Sequence, residues 1–299
     1  MNMLKLLFTA FFFAECLSAM AETIKVGTYN IRTRTQDKGT PCEWENRKSD
    51  LLNLVRKLDL DVFGLQEAHA DQLDYIADNL PQYMKIGVHR NDGKRKGEAA
   101  PVFFRKNRFA SIKNGTFWLS ETPDVPGSKS WGASHPRICS WVLLKDNKTG
   151  KSFCFANTHT EHRSRLARKN GMLLFVKQIR KIAPDGTSIV FIGDHNCKET
   201  SDEAKVVSAI LKDALHISKT TPSGSWRSYN GWRWSESELS IAEALTIPFA
   251  ERENRRRRID YIYVSEGIKV NSYKTVNDPR PGTKLYPSDH FPIIADIEF

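Results

Sequence analysis

Three features of the 299-residue sequence predict an α/β fold. Short runs rich in β-branched and aromatic residues alternate with amphipathic helical segments. Several of those runs stop at Asn, Glu, His or Asp, as strands do when their carboxyl ends line a ligand crevice. Residues 22–299 are enough for one large core, so one domain is expected there rather than two.

The elements follow in order. TIKVGTYNI (23–31) reads as a strand. Trp44, Leu51, Val55 and Leu58 recur at helical spacing in EWENRKSDLLNLVRKL, which predicts a helix. DVFGLQE (61–67) is a buried strand with a polar end. PVFFR (101–105), TFWLS (116–120), ICSWVLL (138–144) and SFCFANT (152–158) are further strands. HRSRLARKNGMLLFVKQIRKIA (162–183) is a second helix, with Met172, Phe175, Ile179 and Ile182 on one stripe. SIVFI (188–192) is a strand. SDEAKVVSAILKDAL (201–215) is a helix capped by Ser201. IDYIYV (259–264), IKVNSY (268–273) and FPIIADIEF (291–299) complete the sheets. Residues 90–100 and 120–136 are punctuated by Gly or Pro and read as loops, as does most of 220–257.

Residues 1–21 have the form of a secretory signal: Lys5, an apolar stretch from Leu6 to Ala14, and Ala19-Met20-Ala21 as an A-x-A cleavage site. The stretch is short for a membrane span, which needs ~20 residues. A lipid anchor on Cys16 is the alternative, disfavoured by Glu15 beside it. The expected product is a soluble, exported monomer, periplasmic or extracellular. Cys42, Cys139, Cys154 and Cys197 fit no zinc module and read as structural thiols. The net charge of +10 suits an anionic partner, or solubility alone.

Four runs end in chemistry: VGTYN at Asn30, DVFGLQE at Glu67, CFANTH at His159, and VFIGDHN at Asp194 and Asn196. Asp289-His290 precede an apolar strand. Asp260 is flanked by apolar and aromatic residues, where an unpaired acid is costly to bury. Carboxylates and amides without a Cys/His cluster suit Mg²⁺, Mn²⁺ or Ca²⁺ rather than zinc. With imidazoles added, they suit a phosphate ester attacked by water. Arg105 ends a strand, where it either assists the phosphate or forms a salt bridge. Arg255 to Arg258 either meets a polyanion or is solvated. Trp226, Trp232 and Trp234 stack on bases, touch a membrane or pack their loop. In IVFIGDHNC, strand alternation puts Asp194 and Asn196 on one face and His195, followed by Cys197, on the other.

Taken in order, TYNIR, GLQE, NTHTEH, GDHN, RIDYIYV and SDHFPI resemble the endonuclease/exonuclease/phosphatase (DNase I-like) superfamily. ENRK and GTFWLSETPD are similar to its secreted bacterial members. The resemblance implies a four-layer α/β/β/α sandwich of two mixed β-sheets. It implies that Glu67 binds a divalent metal, most often Mg²⁺, with Asp289 and Asn30 close by. Asp194 would orient or deprotonate the attacking water. Asn30, Asn196 and His159 would hold the phosphate. His290 would act on the phosphate or as an acid/base, its imidazole fixed by Asp260. Three departures stand out: Arg32 replaces an acid found in some members, Thr160 and Glu161 fall where many carry an apolar residue and Asp, so that Glu161 reads as a loop support, and His195 stands where most carry an aromatic or small residue. The expected substrate is a phosphodiester, with nucleic acid first and a phospholipid head group second. A phosphomonoester is third. A silent binding module is disfavoured, since it need not keep Glu67, Asp194, Asp260, Asp289 and His290 together.

Overall fold

In the computed structural model, residues 22–299 are described apart from 234, 236–238, 249–250 and 252–257. The leader-like segment, Trp234 and Arg255 to Arg257 therefore lie outside the described residues. The strands are β1 (Ile24–Asn30), β2 (Val62–Gln66), β3 (Tyr83–Ile86), β4 (Val102–Arg105), β5 (Phe109–Trp118), β6 (Ile138–Asp146), β7 (Ser152–His159), β8 (Ser188–Asp194), β9 (Lys212–Asp213), β10 (Ser223–Gly224), β11 (Asp260–Val264), β12 (Lys269–Thr275) and β13 (Ile293–Glu298). The helices are α1 (Trp44–Leu58), α2 (Ala70–Asp78), α3 (Arg165–Ile182), α4 (Asp202–Ser208) and α5 (Ile241–Thr246).

The strands form two mixed sheets. One is seven-stranded, in the order β10-β12-β13-β1-β2-β4-β3; the other is six-stranded, in the order β5-β6-β7-β8-β11-β9. Strand alternation sorts their side chains into layers. Ile24, Val26 and Val62 of the first sheet meet Phe153, Phe155, Val190, Ile192 and Ile262 of the second in one inter-sheet core. The opposite face of the first sheet, with Tyr29, Phe63 and Leu65, packs on Leu51 and Val55 of α1 and on Leu73 and Ile76 of α2. The opposite face of the second sheet, with Phe191, Tyr261 and Tyr263, packs on Met172, Phe175 and Ile179 of α3 and on Val207 of α4. The predicted α/β/β/α sandwich is therefore the observed architecture.

The sheets approach closely at Gly64, where a Cβ would lie 2.5 Å from both Asn157 and Ile192. Here the apolar core gives way to a polar layer. Gln66 Nε2 donates to Thr28 Oγ1 (2.9 Å) and to Asn157 Oδ1 (2.7 Å). Asn157 Nδ2 donates to the carbonyls of Leu65 (2.9 Å) and Pro101 (2.8 Å). Each of these donors is buried and paired, which makes this bridge between the sheets a rigid floor.

Several predicted elements need correction. The helix expected over 201–215 stops at Ser208, and Lys212–Asp213 pairs with β11 instead. Its cap is as predicted: Ser201 Oγ accepts from Ala204 N. Helix α2, with buried Leu73 and Ile76, was not foreseen. Neither were β3 and α5. The four cysteines of the described chain are free, in keeping with their reading as structural thiols. Among the described residues no helix is long and apolar enough to cross a membrane.

Candidate active site

The inter-sheet faces that are apolar in mid-strand turn polar at one end, and the candidate site is built there. On β1, Asn30 shares the face of Ile24 and Val26; on β7, His159 shares that of Phe153 and Phe155. Asp194 follows Val190 and Ile192 on β8. Asp260 precedes Ile262 on β11 and lies opposite Asp194 in the antiparallel register. Gly193 precedes Asp194 with φ 142°, and a Cβ there would sit 2.0 Å from the Thr158 carbonyl oxygen. Only glycine fits this approach of β8 to β7.

Glu67 breaks the rule. Alternation would put it with Phe63 and Leu65 on the helix-covered face. Its backbone instead takes a left-handed φ of 62°, and its carboxylate meets the site. Asn30 Nδ2 donates to Glu67 Oε1 (3.1 Å), and Thr33 N donates to Oε2 (2.9 Å). Asn196 is also left-handed, at φ 48°. Its side chain turns to the Thr160 carbonyl (3.1 Å), and its backbone N donates to Asp194 Oδ1 (2.9 Å). Left-handed backbone is uncommon for non-glycine residues and clusters at functional sites.

Asp194 is the hub. Its Oδ2 accepts from Asn30 Nδ2 at 3.0 Å and lies 3.6 Å from His159 Nε2 and 3.7 Å from His290 Nε2. Burial, reinforced by the Asp260 carboxylate, pushes Asp194 up to about 7, against the pull of His290. His290 Nδ1 and Asp260 Oδ2 are 2.8 Å apart, the predicted dyad. Burial alone would lower the His290 imidazole, but Asp260, Asp194 and Asp289 outweigh it and raise it to about 10. His159 is driven the other way, well below its ordinary value, by burial and then by Arg137 and Arg90. The two imidazoles are thus shifted in opposite directions.

Asp289 is buried, its Oδ2 3.2 Å from Arg32 Nη1. Burial raises its carboxyl too. Arg47 of α1 holds the surrounding loops: Nη1 donates to the carbonyls of Ile31 (2.7 Å) and Pro287 (3.0 Å), and Nη2 to that of Arg32 (2.9 Å). Ser288 Oγ closes the loop onto the Asn30 carbonyl at 2.7 Å.

The donor set fits a divalent cation. Glu67, His159 and Asp194 each offer a ligand atom within 4.8 Å of the others, as do Asp194, Asp260 and His290. Asp289 is outside both triplets, held by Arg32, though it is close enough for Glu67 to act on its charge. Buried acids with raised pKa lack compensating positive charge, which a cation supplies.

The cleft over these groups has a volume of about 780 Å³. It brings together Glu67, His159, Asp194, Asn196, Asp289 and His290 of the predicted set. Asn30 and Asp260 are buried behind its lining, and Arg105 is not part of the site at all. Because β4 runs antiparallel to β2, Arg105 lies at the far end of the sheet. There it pairs with Asp59 and with Asp61 (3.5 Å) and covers Tyr83, so the salt bridge is the correct alternative. Arg258 is buried, ion-paired to Glu199 and Asp213, with its guanidinium 4.4 Å over Tyr261, and does not line the cleft. Trp226 is a core residue at 1% exposure. Glu161 supports its loop as expected, accepting from Ser134 N (3.1 Å), Ser134 Oγ (2.7 Å) and Arg163 N (2.8 Å).

His195 sits on the far face as predicted. It is fully buried, with ring centroids 4.8 Å from Phe191, 5.3 Å from Tyr261 and 5.6 Å from Tyr263. Burial lowers its imidazole to about 3, so it stays neutral. Its backbone hydrogen bonds to Ile259 and Thr160 do not depend on the ring. His195→Phe is expected to retain activity within about twofold, since it keeps the aromatic stack; a loss as large as that of an Asp194 variant in the same assay would refute this. Cys197 departs from expectation, for it borders the cleft. The left-handed turn at Asn196 ends the alternation that would have carried it away.

Sequence reading missed Arg90, Glu98, Arg137, His135 and His162 in the cleft wall. Ser164, not His162, caps α3. His162 Nδ1 instead lies 2.9 Å from Arg137 Nη2, and the His135 and His162 rings stack at 6.2 Å.

The family model described as Endonuclease/Exonuclease/phosphatase family matches residues 27–290. The uncharacterized protein L388 of Acanthamoeba polyphaga mimivirus is 26% identical over 270 residues, covering 86% of this chain and 92% of its own. An endonuclease/exonuclease/phosphatase structure from Bacteroides vulgatus superposes with TM-score 0.80 at 31% identity, over 93% of this chain and 99% of that one. The mannosyl-6-phosphatase Bt3783 of Bacteroides thetaiotaomicron VPI-5482 superposes with TM-score 0.79 at 31% identity, over 92% and 100%. By sequence, fold and site, the chain belongs to the endonuclease/exonuclease/phosphatase family, whose members are phosphoesterase hydrolases, typically dependent on a divalent metal.

Proposed function

We propose that the protein hydrolyses phosphate monoesters of small polar alcohols, sugar phosphates first, with Mg²⁺ (or Mn²⁺ or Ca²⁺) bound by Glu67 with Asn30 and Asp289 close by. The observation that carries this reading is the cleft: its volume, about 780 Å³, is that of a small-molecule site. Its floor is acidic and its wall cationic, through Arg32, Arg90 and Arg137. The 31% identity to a mannosyl-6-phosphatase supports the same substrate class. A bound divalent cation neutralises phosphoryl charge and lowers the pKa of water. Asp194 takes the proton of the attacking water, and the His290 imidazolium hydrogen-bonds the phosphoryl group or protonates the departing alcohol. Asn196 and His159 hold the phosphoryl oxygens, while Asn30, whose amide donates to Glu67 and Asp194, positions those two carboxylates. The leader-like residues 1–21 support export to the periplasm or beyond.

A nucleic-acid diester is the second reading, favoured by the net charge of +10. It is weaker than the sequence suggested, because Trp226 is in the core and Arg258 is internally paired. The test is a panel of mannose 6-phosphate, other sugar and inositol phosphates, bis-p-nitrophenyl phosphate, plasmid DNA, RNA and sphingomyelin, with Mg²⁺ and with EDTA. Phosphate release from a sugar phosphate is expected to have the highest kcat/KM and to stop in EDTA. Faster cleavage of plasmid or RNA than of every monoester would sink the monoester reading, and undiminished turnover in EDTA would sink the metal.

A further inference from the structure

Arg137 just precedes β6 and plays no part in the floor described above. Its side chain is 4% exposed, yet it lines the cleft beside His159. Two neighbours fix its position. Nη2 lies 2.9 Å from His162 Nδ1, and Nε lies 3.6 Å from Glu161 Oε2. Glu161 is itself pinned by Ser134 and Arg163. His162 Nδ1 must be unprotonated to accept from a guanidinium, so the contact orients Arg137 without neutralising it. Nε and Nη1 have no hydrogen-bond partner among the described residues, although both are buried. A buried guanidinium with open donors is costly unless something completes it. Three other cations of this wall hold shorter ion pairs: Arg90 with Glu98 at 2.5 Å, Arg32 with Asp37 at 2.9 Å and Arg168 with Glu203 at 2.9 Å, against 3.6 Å from Arg137 to Glu161.

We propose that Arg137 is a specificity-determining residue that selects the phosphate monoester dianion over the diester, by donating to terminal phosphoryl oxygens from the side of the cleft facing His159. This rests on the phosphoesterase reading above and sharpens it. A monoester presents three terminal oxygens and two charges. A diester replaces one of those oxygens with a bulkier, uncharged O–C group. With two terminal oxygens held at the floor, a monoester leaves a third, charged oxygen to accept from a guanidinium N–H, where a diester offers only an ester oxygen.

The experiment compares wild type, Arg137→Lys and Arg137→Met, each checked for folding by its melting temperature. Steady-state kinetics on p-nitrophenyl phosphate and bis-p-nitrophenyl phosphate are measured with and without added guanidinium chloride at non-denaturing concentration. Inorganic phosphate binding is measured separately by calorimetry. For Arg137→Met, kcat/KM on the monoester is expected to fall by about a hundredfold and on the diester by about threefold or less, with phosphate affinity weakened at least about tenfold. Guanidinium restores part of the monoester rate. Arg137→Lys keeps the charge without the fork and falls between. Equal losses on both substrates, or phosphate affinity unchanged in folded Arg137→Met or Arg137→Lys, would overturn the inference. A wild type that cleaves the diester but not the monoester overturns the monoester reading itself, a failure seen before any variant is made.

Discussion

Asp194→Asn is expected to lower kcat/KM by about a thousandfold or more, with the protein still folded. The reason lies in how many elements meet at one oxygen. Asp194 Oδ2 accepts from Asn30 and faces both His159 and His290 within 3.7 Å. Burial and Asp260 hold the carboxyl up at about 7, where a group can accept a proton from water near neutrality. An amide has the same shape and no basicity. It also presents an N–H₂ toward Asn30 Nδ2 or toward the backbone N of Asn196, so two donors face each other. That mismatch costs about 1–3 kcal/mol. It lowers the melting temperature without removing the sandwich, because the polar layer at Gln66 and Asn157 below remains intact. The assay is turnover on the best substrate of the panel at saturating metal, with circular dichroism as the folding control. Activity within tenfold of wild type would remove Asp194 from the role of base.

Much of this site could be read in the sequence because strand alternation is a local property. Asn30, His159 and Asp194 sit at strand ends and share a face with Ile24, Phe155 and Ile192, and each relation spans only a few residues. The same logic placed His195 among Phe191, Tyr261 and Tyr263. It failed wherever the backbone left the extended region. At Glu67 and Asn196 a left-handed φ sends the following atoms to the other side; asparagine at least adopts that conformation readily, but nothing in a glutamate announces it. Strand direction is invisible for a different reason. Arg105 ends its strand as Glu67 follows its own, but β4 is antiparallel to β2, so the two lie at opposite ends. The long loop from Thr220 to Arg257 looked like a place for substrate contacts. Its Trp226 is instead a core residue, in a cluster that also takes in Ile241 and Ala244 of α5. The cleft wall was the least legible part. Arg137 meets His162 across 25 residues, and no spacing marks the pair. A lone arginine before an apolar strand was the only hint.

Asp260→Asn is expected to reduce kcat by about a hundredfold at neutral pH and to move the alkaline limb of the pH–rate profile to lower pH. The Asp260 carboxylate accepts from His290 Nδ1 at 2.8 Å and is buried with it. Burial opposes charge on the imidazole, but Asp260, Asp194 and Asp289 overcome it and lift His290 to about 10. Wild-type enzyme therefore keeps a charged Nε2–H beside the cleft until pH approaches 10. Replacing the carboxylate with an amide removes the largest favourable contribution, so the imidazolium loses its proton nearer the ordinary ~6.5. Stability follows with a definite sign. A histidine whose pKa is raised by folding stabilises the fold fully below ~6.5, and that contribution fades as pH rises through about 10. The gap in melting temperature between wild type and Asp260→Asn should thus be widest near pH 6 and close toward pH 10. His290→Gln, which has no titrating ring, should lose the alkaline limb altogether. If the limb stays in place in both variants, another group sets it. If the melting gap widens from pH 7 to 10, the charge assigned to His290 is wrong.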